Sequence, residues 1–281
     1  MSTQPSPLVS AAELGALIAG PDAPVLLDVR WRHGDPDGYP RYLHGHLPGA
    51  RYLDLDTELC GRPSPEGRRP IPDPETFSAA MRSHGVLAGR DVVVYDDDAG
   101  MAAARAWWLL RFYGVERVRL LDGGYPAWCR SGGPIESGTP SPAVPGNVQC
   151  RPGHLPIVGA TAALGLAGHG GLLDARPAAR YRGEFEPRGG PAGHIPGAVS
   201  LPADELVRPD GTFRPPAELR DLFANRVAGA GAVGAYCGSG LLACHLVLAL
   251  ASIGVSAALY PGSWSHWTSD PDRPVTTGSE P

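Results

Sequence analysis

No apolar run in this chain approaches 18 residues, so the sequence offers no membrane-spanning helix. The opening, Met-Ser-Thr-Gln-Pro-Ser-Pro, lacks both the basic start and the apolar core of a secretory leader. Basic residues nowhere gather into a run, and the net charge is −5 with a pI near 6.0, which argues against nucleic acid and anionic membrane as partners. The five cysteines (Cys60, Cys129, Cys150, Cys237, Cys244) are odd in number and include no CxxC pair. A disulfide framework and a structural zinc site are therefore not expected, and a cytoplasmic location is. What is present is the composition of a soluble globular protein: 281 residues, 43% hydrophobic and 19% charged, with 31 prolines that imply many turns. That length suits one large domain or two of ordinary size.

The chain repeats itself. Val25-Leu26-Leu27-Asp28-Val29-Arg30 returns as Gly171-Leu172-Leu173-Asp174-Ala175-Arg176, and Gly45-His46-Leu47-Pro48-Gly49-Ala50 returns as Gly193-His194-Ile195-Pro196-Gly197-Ala198. Further on, Asp91 to Asp96 matches Ala232 to Cys237, and Asp122-Gly123-Gly124 with Trp128 matches Pro261-Gly262-Ser263 with Trp267. Four matches in one order, with slowly drifting offsets, define a unit written twice. Each copy alternates strand and helix, the pattern of a parallel, doubly wound sheet. A Pro/Gly/Ser-rich stretch at 137–153 separates the copies, giving expected boundaries of 1–140, a linker at 141–157, and 158–281.

The stretch Ala235-Tyr236-Cys237-Gly238-Ser239-Gly240-Leu241-Leu242 places a cysteine between a short strand, Val233–Tyr236, and an apolar helix running from Leu242 towards Ile253. Ligands of parallel sheets bind beyond the carboxyl ends of strands, where Cys237 falls. Gly238 and Gly240 permit backbone turns that aim successive N–H groups at one point, and the helix start adds more. A cradle formed by Gly238, Gly240, Leu241 and Leu242 would favour an anion at the sulfur. The alternative is an inert buried cysteine beside a turn. The first copy carries Tyr95-Asp96-Asp97-Asp98 at the equivalent position, which offers no thiol and would repel an anionic substrate. Only the second copy is expected to be catalytic.

This doubled pattern, with one cysteine loop in the second half, resembles the two-domain rhodanese-type sulfurtransferases over nearly the whole chain. The resemblance implies an α/β fold of two tandem rhodanese-like domains, each a mostly parallel sheet flanked by helices, the first without a catalytic cysteine. The Cys237-Gly-Ser-Gly loop is more similar to the 3-mercaptopyruvate branch than to the thiosulfate branch. Arg180-Tyr181-Arg182-Gly183 with Glu186-Pro187-Arg188 resembles the segment that holds the mercaptopyruvate carboxylate, which makes Arg180 and Arg188 the implied substrate clamps. Leu241-Leu242-Ala243 departs from that branch, which usually has Val-Thr-Ala, so a hydroxyl near the sulfur is missing. Ser239 and His46 are implied in proton transfer, with Asp28, Asp35 or Asp37 as the acidic partner.

The chemistry so implied is double displacement. Cys237 takes the outer sulfur of a small anionic donor, 3-mercaptopyruvate or thiosulfate, and the persulfide passes it to a thiol or cyanide, or to a thiol protein. No metal or organic cofactor is required. Several bland readings stand beside these. Arg180 could be a solvated or ion-paired arginine. His46 and His194 recur in both copies, which favours a structural role for the imidazole against a turn carbonyl. Asp28 and Asp174 read as turn formers, and Trp107, Trp108, Trp128, Trp264 and Trp267 as core anchors. A phosphatase of related fold would need a longer loop ending in arginine. A sulfur carrier that discharges to a partner protein is the alternative function, with Leu241 and Leu242 as an apolar docking tip, and Cys244 could pair with the nucleophile as a protective disulfide.

Overall fold

Short, mostly apolar runs supply strands too brief to stand alone, the central ones buried on both faces. The computed structural model, which describes residues 6–32, 34–35 and 37–281, assembles them into two parallel sheets. The first contains β1 (Leu8–Val9), β2 (Val25–Asp28), β3 (Arg51–Tyr52), β4 (Val92–Tyr95) and β5 (Val118–Leu121) in the order β1-β5-β4-β2-β3. Its helices are α1 (Ala11–Ile18), α2 (Gly38–His44), α3 (Leu55–Glu58), α4 (Pro74–Ser83), α5 (Ala103–Phe112) and α6 (Gly124–Arg130). Local signals set their starts: Ser10 and Glu13 form a capping box on α1, and Asp73 caps α4 ahead of Pro74. By contrast α5 is buried nearly all round, as a helix packed on both sides must be.

The second sheet contains β6 (Leu172–Asp174), β7 (Val199–Ser200), β8 (Val233–Tyr236) and β9 (Ala257–Leu259) in the order β7-β6-β8-β9. Around it run α7 (Ala160–Ala167), α8 (Ala178–Tyr181), α9 (Pro216–Arg226), α10 (Leu242–Ser252) and α11 (Ser263–Trp267). The topology repeats the first sheet strand for strand, except that β1 is reduced to a single parallel bridge from Ile157 to Leu259. The family-level expectation of two mostly parallel sheets flanked by helices therefore holds. Among the described residues no helix is long and apolar enough to cross a membrane.

Each unit holds one excursion that chain order alone does not reveal. The first gathers the described residues of Met1–Cys60, Pro72–His154 and Val207–Phe213, and the second Gly61–Ile71, Leu155–Leu206 and Arg214–Pro281. Most of the stretch expected as a linker lies along the first unit. Gly146 N donates to Arg82 O (2.7 Å), Cys150 N to Ser78 Oγ (3.0 Å), and Arg151 N to Tyr113 O (3.0 Å). Carbonyls at the end of a helix have no acceptor role inside it, and the amides of Gly146 and Arg151 add hydrogen bonds at the Arg82 and Tyr113 carbonyls.

The repeated sequence motifs share one construction. At the end of β2, Arg30 Nε donates to both carboxylate oxygens of Asp28 (3.1 and 3.0 Å), and Arg30 Nη2 donates to Gly45 O (2.6 Å). At the end of β6, Arg176 Nε donates to both oxygens of Asp174 (3.0 Å each), and Nη2 to Gly193 O (2.7 Å). The histidine after each glycine stacks on a tyrosine, His46 on Tyr42 at 4.1 Å and His194 on Tyr181 at 3.7 Å between ring centroids. Each Nδ1 lies 2.9 Å from that tyrosine's carbonyl oxygen. A carbonyl can only accept, so Nδ1 carries the proton. Both imidazoles thus bond a helix carbonyl, where the sequence suggested a turn carbonyl. Asp28 and Asp174 do form turns, accepting from Arg30 N and Arg176 N, but their main partner is the guanidinium two residues on.

Burial pushes the Asp28 carboxyl up to about 6 against the pull of Arg30. An acid raised above its ordinary 3.8 is disfavoured in the fold when ionised; that penalty is absent below 3.8 and complete above the folded value. Arg30→Met leaves Asp28 without its partner and should cost about 3–5 kcal/mol at neutral pH. The cost should shrink at about pH 5, where the lone carboxyl takes up a proton. Denaturant unfolding at both pH values checks this, and an equal cost at the two would contradict it.

Candidate functional site

Cys237 follows β8 directly and is 2% exposed. The loop from Gly238 to Leu241 carries the chain into α10, and a second turn, Pro261 to Ser265, holds it from behind. Cys237 N donates to Ser263 Oγ (3.1 Å), Trp264 N to Cys237 O (2.9 Å), and Ser265 N to Gly238 O (3.1 Å). Ser263 sits at φ +53, costly for a residue with a side chain. Its Oγ serves as both acceptor from Cys237 and donor to Tyr260 O (2.8 Å), which holds it there. Gly240 is obligatory: its φ is +78, and a Cβ there would lie 2.5 Å from Pro261 O. The expectation that Gly238 also needs a forbidden conformation does not hold. Gly238 has an ordinary φ, and what it provides is room, since a Cβ there would meet Arg180 and Arg68 guanidinium nitrogens at 3.3–3.4 Å.

The first unit shows what this loop geometry does with an anion. Ala99, equivalent to Gly240, also has positive φ (+54), and Tyr125 N donates to Asp96 O as Trp264 N does to Cys237 O. The Asp96 carboxylate is fully buried and accepts four backbone N–H groups, from Asp98, Gly100, Ala102 and Ala103, at 2.8–2.9 Å. Asp97 is paired with Arg41 and Arg32, so the acidic triplet does not project its charge outward as expected; only Asp98 is exposed. At the corresponding places of the second loop, the amides of Ser239, Leu241 and Ala243 donate to no acceptor among the described residues. Those donors remain available for an anion beside Cys237.

Guanidinium groups complete the site. The chain contains no lysine, so every cation here is a planar fork able to bind an oxyanion through two hydrogens. Arg180, on α8, donates through Nη2 to both oxygens of Glu186 at 2.8 Å, and its buried Nε has no partner among the described residues. Glu186 also lies 3.9 Å from Arg176 Nη1. Arg188 is exposed and near enough to Arg68 to act on its charge.

Arg68 and Arg69 were not anticipated. They arrive on Gly61–Ile71, the excursion that packs with the second unit. Ser64 and Gly67 bridge in a tight turn, and Gly67 packs against the Gly262 backbone. Arg68 N donates to Ser265 Oγ (3.0 Å), Arg68 Nη2 to Gly238 O (3.2 Å), and Arg69 Nη1 to Ser239 Oγ (3.3 Å). Burial pushes the Arg68 pKa down, and the like charges of Arg188 and Arg180 push the same way against Glu186 and Cys237. The only signal in the sequence was an arginine doublet in a non-periodic Pro/Gly stretch, 169 positions before the cysteine for Arg68.

Ser239 is buried and accepts from Arg69. Leu241 is buried and Leu242 half-buried, so the apolar loop tip expected as a docking surface is largely packed into the unit. Cys244 Sγ donates to Gly240 O (3.2 Å), and no disulfide joins it to Cys237 in this structure. His46 lies in the first unit with its ring fixed on Tyr42, and of the acids offered as its partner, Asp28 is engaged by Arg30 and Asp35 by Arg41.

Comparison with known proteins adds the following. The family described as the rhodanese-like domain matches residues 10–131 and 160–270. A protein of Mycobacterium tuberculosis, provisionally named thiosulfate sulfurtransferase SseB, is 46% identical over 278 residues, covering 97% of both chains. The 3-mercaptopyruvate sulfurtransferase of Escherichia coli K12 is 41% identical over 242 residues, covering 83% of this chain and 84% of its own. The crystal structure of SseA from Escherichia coli, described as a 3-mercaptopyruvate sulfotransferase of the rhodanese fold, superposes with a TM-score of 0.81 at 34% identity, covering 92% of this chain and 99% of that one.

The two loop glycines should respond differently to alanine. Gly240→Ala meets both a positive φ and a backbone oxygen, and should cost about 1–3 kcal/mol. Gly238→Ala meets only the ends of flexible side chains and should cost less than about 1 kcal/mol. Thermal unfolding of the two variants reads the difference, and equal losses would contradict this account of the loop.

Proposed function

The chain belongs to the rhodanese family, and from that premise we propose that it is a cytoplasmic sulfurtransferase carrying sulfur on Cys237 from a small anionic donor to a thiol or cyanide. The observation that carries this reading is the setting of Cys237. It stands at the carboxyl end of β8, in a loop with unspent amides, beside the guanidinium groups of Arg180 and Arg68. The same loop in the first unit holds a carboxylate by four N–H groups, which supports an anionic occupant here.

In the first half-reaction the Cys237 thiolate attacks the outer sulfur of the donor and an S–S bond forms. With thiosulfate, the donor's own S–S bond breaks and its electron pair leaves on sulfite. With 3-mercaptopyruvate, the C–S bond breaks, the pair stays on carbon, and a proton converts the resulting enolate to pyruvate. Ser239 Oγ accepts from Arg69, which leaves its hydroxyl proton free to be given to the departing group. In the second half-reaction the acceptor attacks the outer sulfur of the persulfide and Cys237 leaves as thiolate. Splitting the transfer in two lowers each barrier. Arg180 and Arg188 are the donor's charge partners in this reading. The carrier alternative relied on an exposed apolar loop tip, and burial of Leu241 removes most of that support.

Steady-state transfer from thiosulfate and from 3-mercaptopyruvate to cyanide, read as thiocyanate, tests the proposal. The wild type should turn over with at least one donor, and Cys237→Ser should lose about a thousandfold or more in kcat. Arg180→Ala should raise the donor KM by about 10- to 100-fold, the loss of a charge-assisted hydrogen bond. Turnover that survives Cys237→Ser would sink the proposal.

A further inference from the structure

We propose that Arg68 is a specificity-determining residue of the Cys237 site, a guanidinium that reads the charge of the sulfur donor and favours a dianionic oxyanion donor such as thiosulfate over a monoanionic oxoacid thiol. This rests on the sulfurtransferase reading above and adds the donor class to it.

Three observations place Arg68 there. Its main chain is fastened to the turn behind the nucleophile, through Ser265 Oγ at 3.0 Å. Its Nη2 donates to Gly238 O, the carbonyl of the residue directly after Cys237, at 3.2 Å. A Cβ built on Gly238 would have Arg68 Nη2 at 3.3 Å and Arg180 Nη1 at 3.3 Å, so the absent side chain leaves a space that both guanidiniums border. Glycine at 238 and arginine at 68 are thus complementary choices.

The charges then discriminate between donors. Arg180 has one carboxylate partner, Glu186, which takes both hydrogen bonds from its Nη2. Arg176, although close to Glu186, is bound to Asp174 and Gly193 O. Arg68 donates to a neutral carbonyl, and its buried Nε has no hydrogen-bond partner among the described residues. A monoanionic carboxylate already has its charge partners in Arg180 and Arg188. A second negative charge finds its attraction in Arg68, which hydrogen-bonds no carboxylate and feels Glu186 only through space. The interaction of one further unit charge at hydrogen-bond range, beside the buried Cys237 and Ser239, is strong enough to set a preference.

The test compares donors in the full-length protein. For Arg68→Gln, kcat/KM for thiosulfate should fall by about 30-fold, mostly through KM, while that for 3-mercaptopyruvate falls by about threefold. Arg68→Lys, which keeps the charge and loses the fork, should recover at least about a third of the wild-type value for thiosulfate. Equal losses for both donors in Arg68→Gln, or no loss for thiosulfate, would overturn the assignment. Should Arg68→Gln not fold, Arg68→Lys decides by itself: a larger fractional loss for 3-mercaptopyruvate than for thiosulfate overturns the proposal. A wild type inactive with both donors would contradict the sulfurtransferase reading instead, and so is distinct from a failure of the Arg68 assignment.

Discussion

Both units hang on a buried ion pair between an aspartate at the end of a strand and the arginine two residues later. Through Nη2, which it also turns to the aspartate, the arginine holds the carbonyl of the glycine that opens the Gly-His turn, in the first unit Gly45 and in the second Gly193. That contact locks the turn to the sheet. The turn's histidine then packs on its tyrosine, and the tyrosine on the next strand accepts from the following amide, Leu47 N to Tyr95 and Ile195 N to Tyr236. Tyr236 is the residue before Cys237, so the nucleophile's strand is braced from the side by the same clamp that holds the turn. Ion pairs this deeply buried contribute little net stability compared with an apolar replacement, but breaking one partner away is costly. Their value lies in fixing one geometry.

On that frame the two loops differ in what they hold. The first fills its loop with a carboxylate of its own, held by four amides, and the second puts a cysteine there with the amides of Ser239, Leu241 and Ala243 unspent, that of Cys244 donating to Leu241 O. An internal anion and an anionic guest are thus alternative occupants of one backbone shape. Around the cysteine the balance of charge is completed by side chains from two separate stretches, Arg180 to Arg188 and Arg68 to Arg69, which a carboxylate at Glu186 only partly offsets.

Much of this was legible in the sequence because it is local or repeated. The strand Val233–Tyr236 and the cysteine turn follow from apolar run, glycine and helix within a dozen residues, and the doubling follows from motifs that recur in order. What could not be read was long-range. Nothing local says that Gly61–Ile71 belongs with residues far along the chain, so Arg68 and Arg69 were invisible as site residues. Gly238 and Gly240 look alike as letters, yet one answers to a left-handed backbone and the other to the bulk of two guanidiniums. Leu241 and Leu242 suggested an exposed tip because apolarity alone does not say which way a side chain packs. Asp96 suggested repulsion because the sequence does not show its four amide partners.

The central claim is that sulfur is carried on Cys237 and on no other cysteine of the chain. Peptide mass mapping after incubation with thiosulfate or 3-mercaptopyruvate, with no acceptor added, tests it most directly. The account predicts a mass gain of one sulfur atom on the peptide containing Cys237, lost again on addition of cyanide, with Cys60, Cys129, Cys150 and Cys244 unchanged. Sulfur found on another cysteine, or none on Cys237 while the protein turns over, would contradict it.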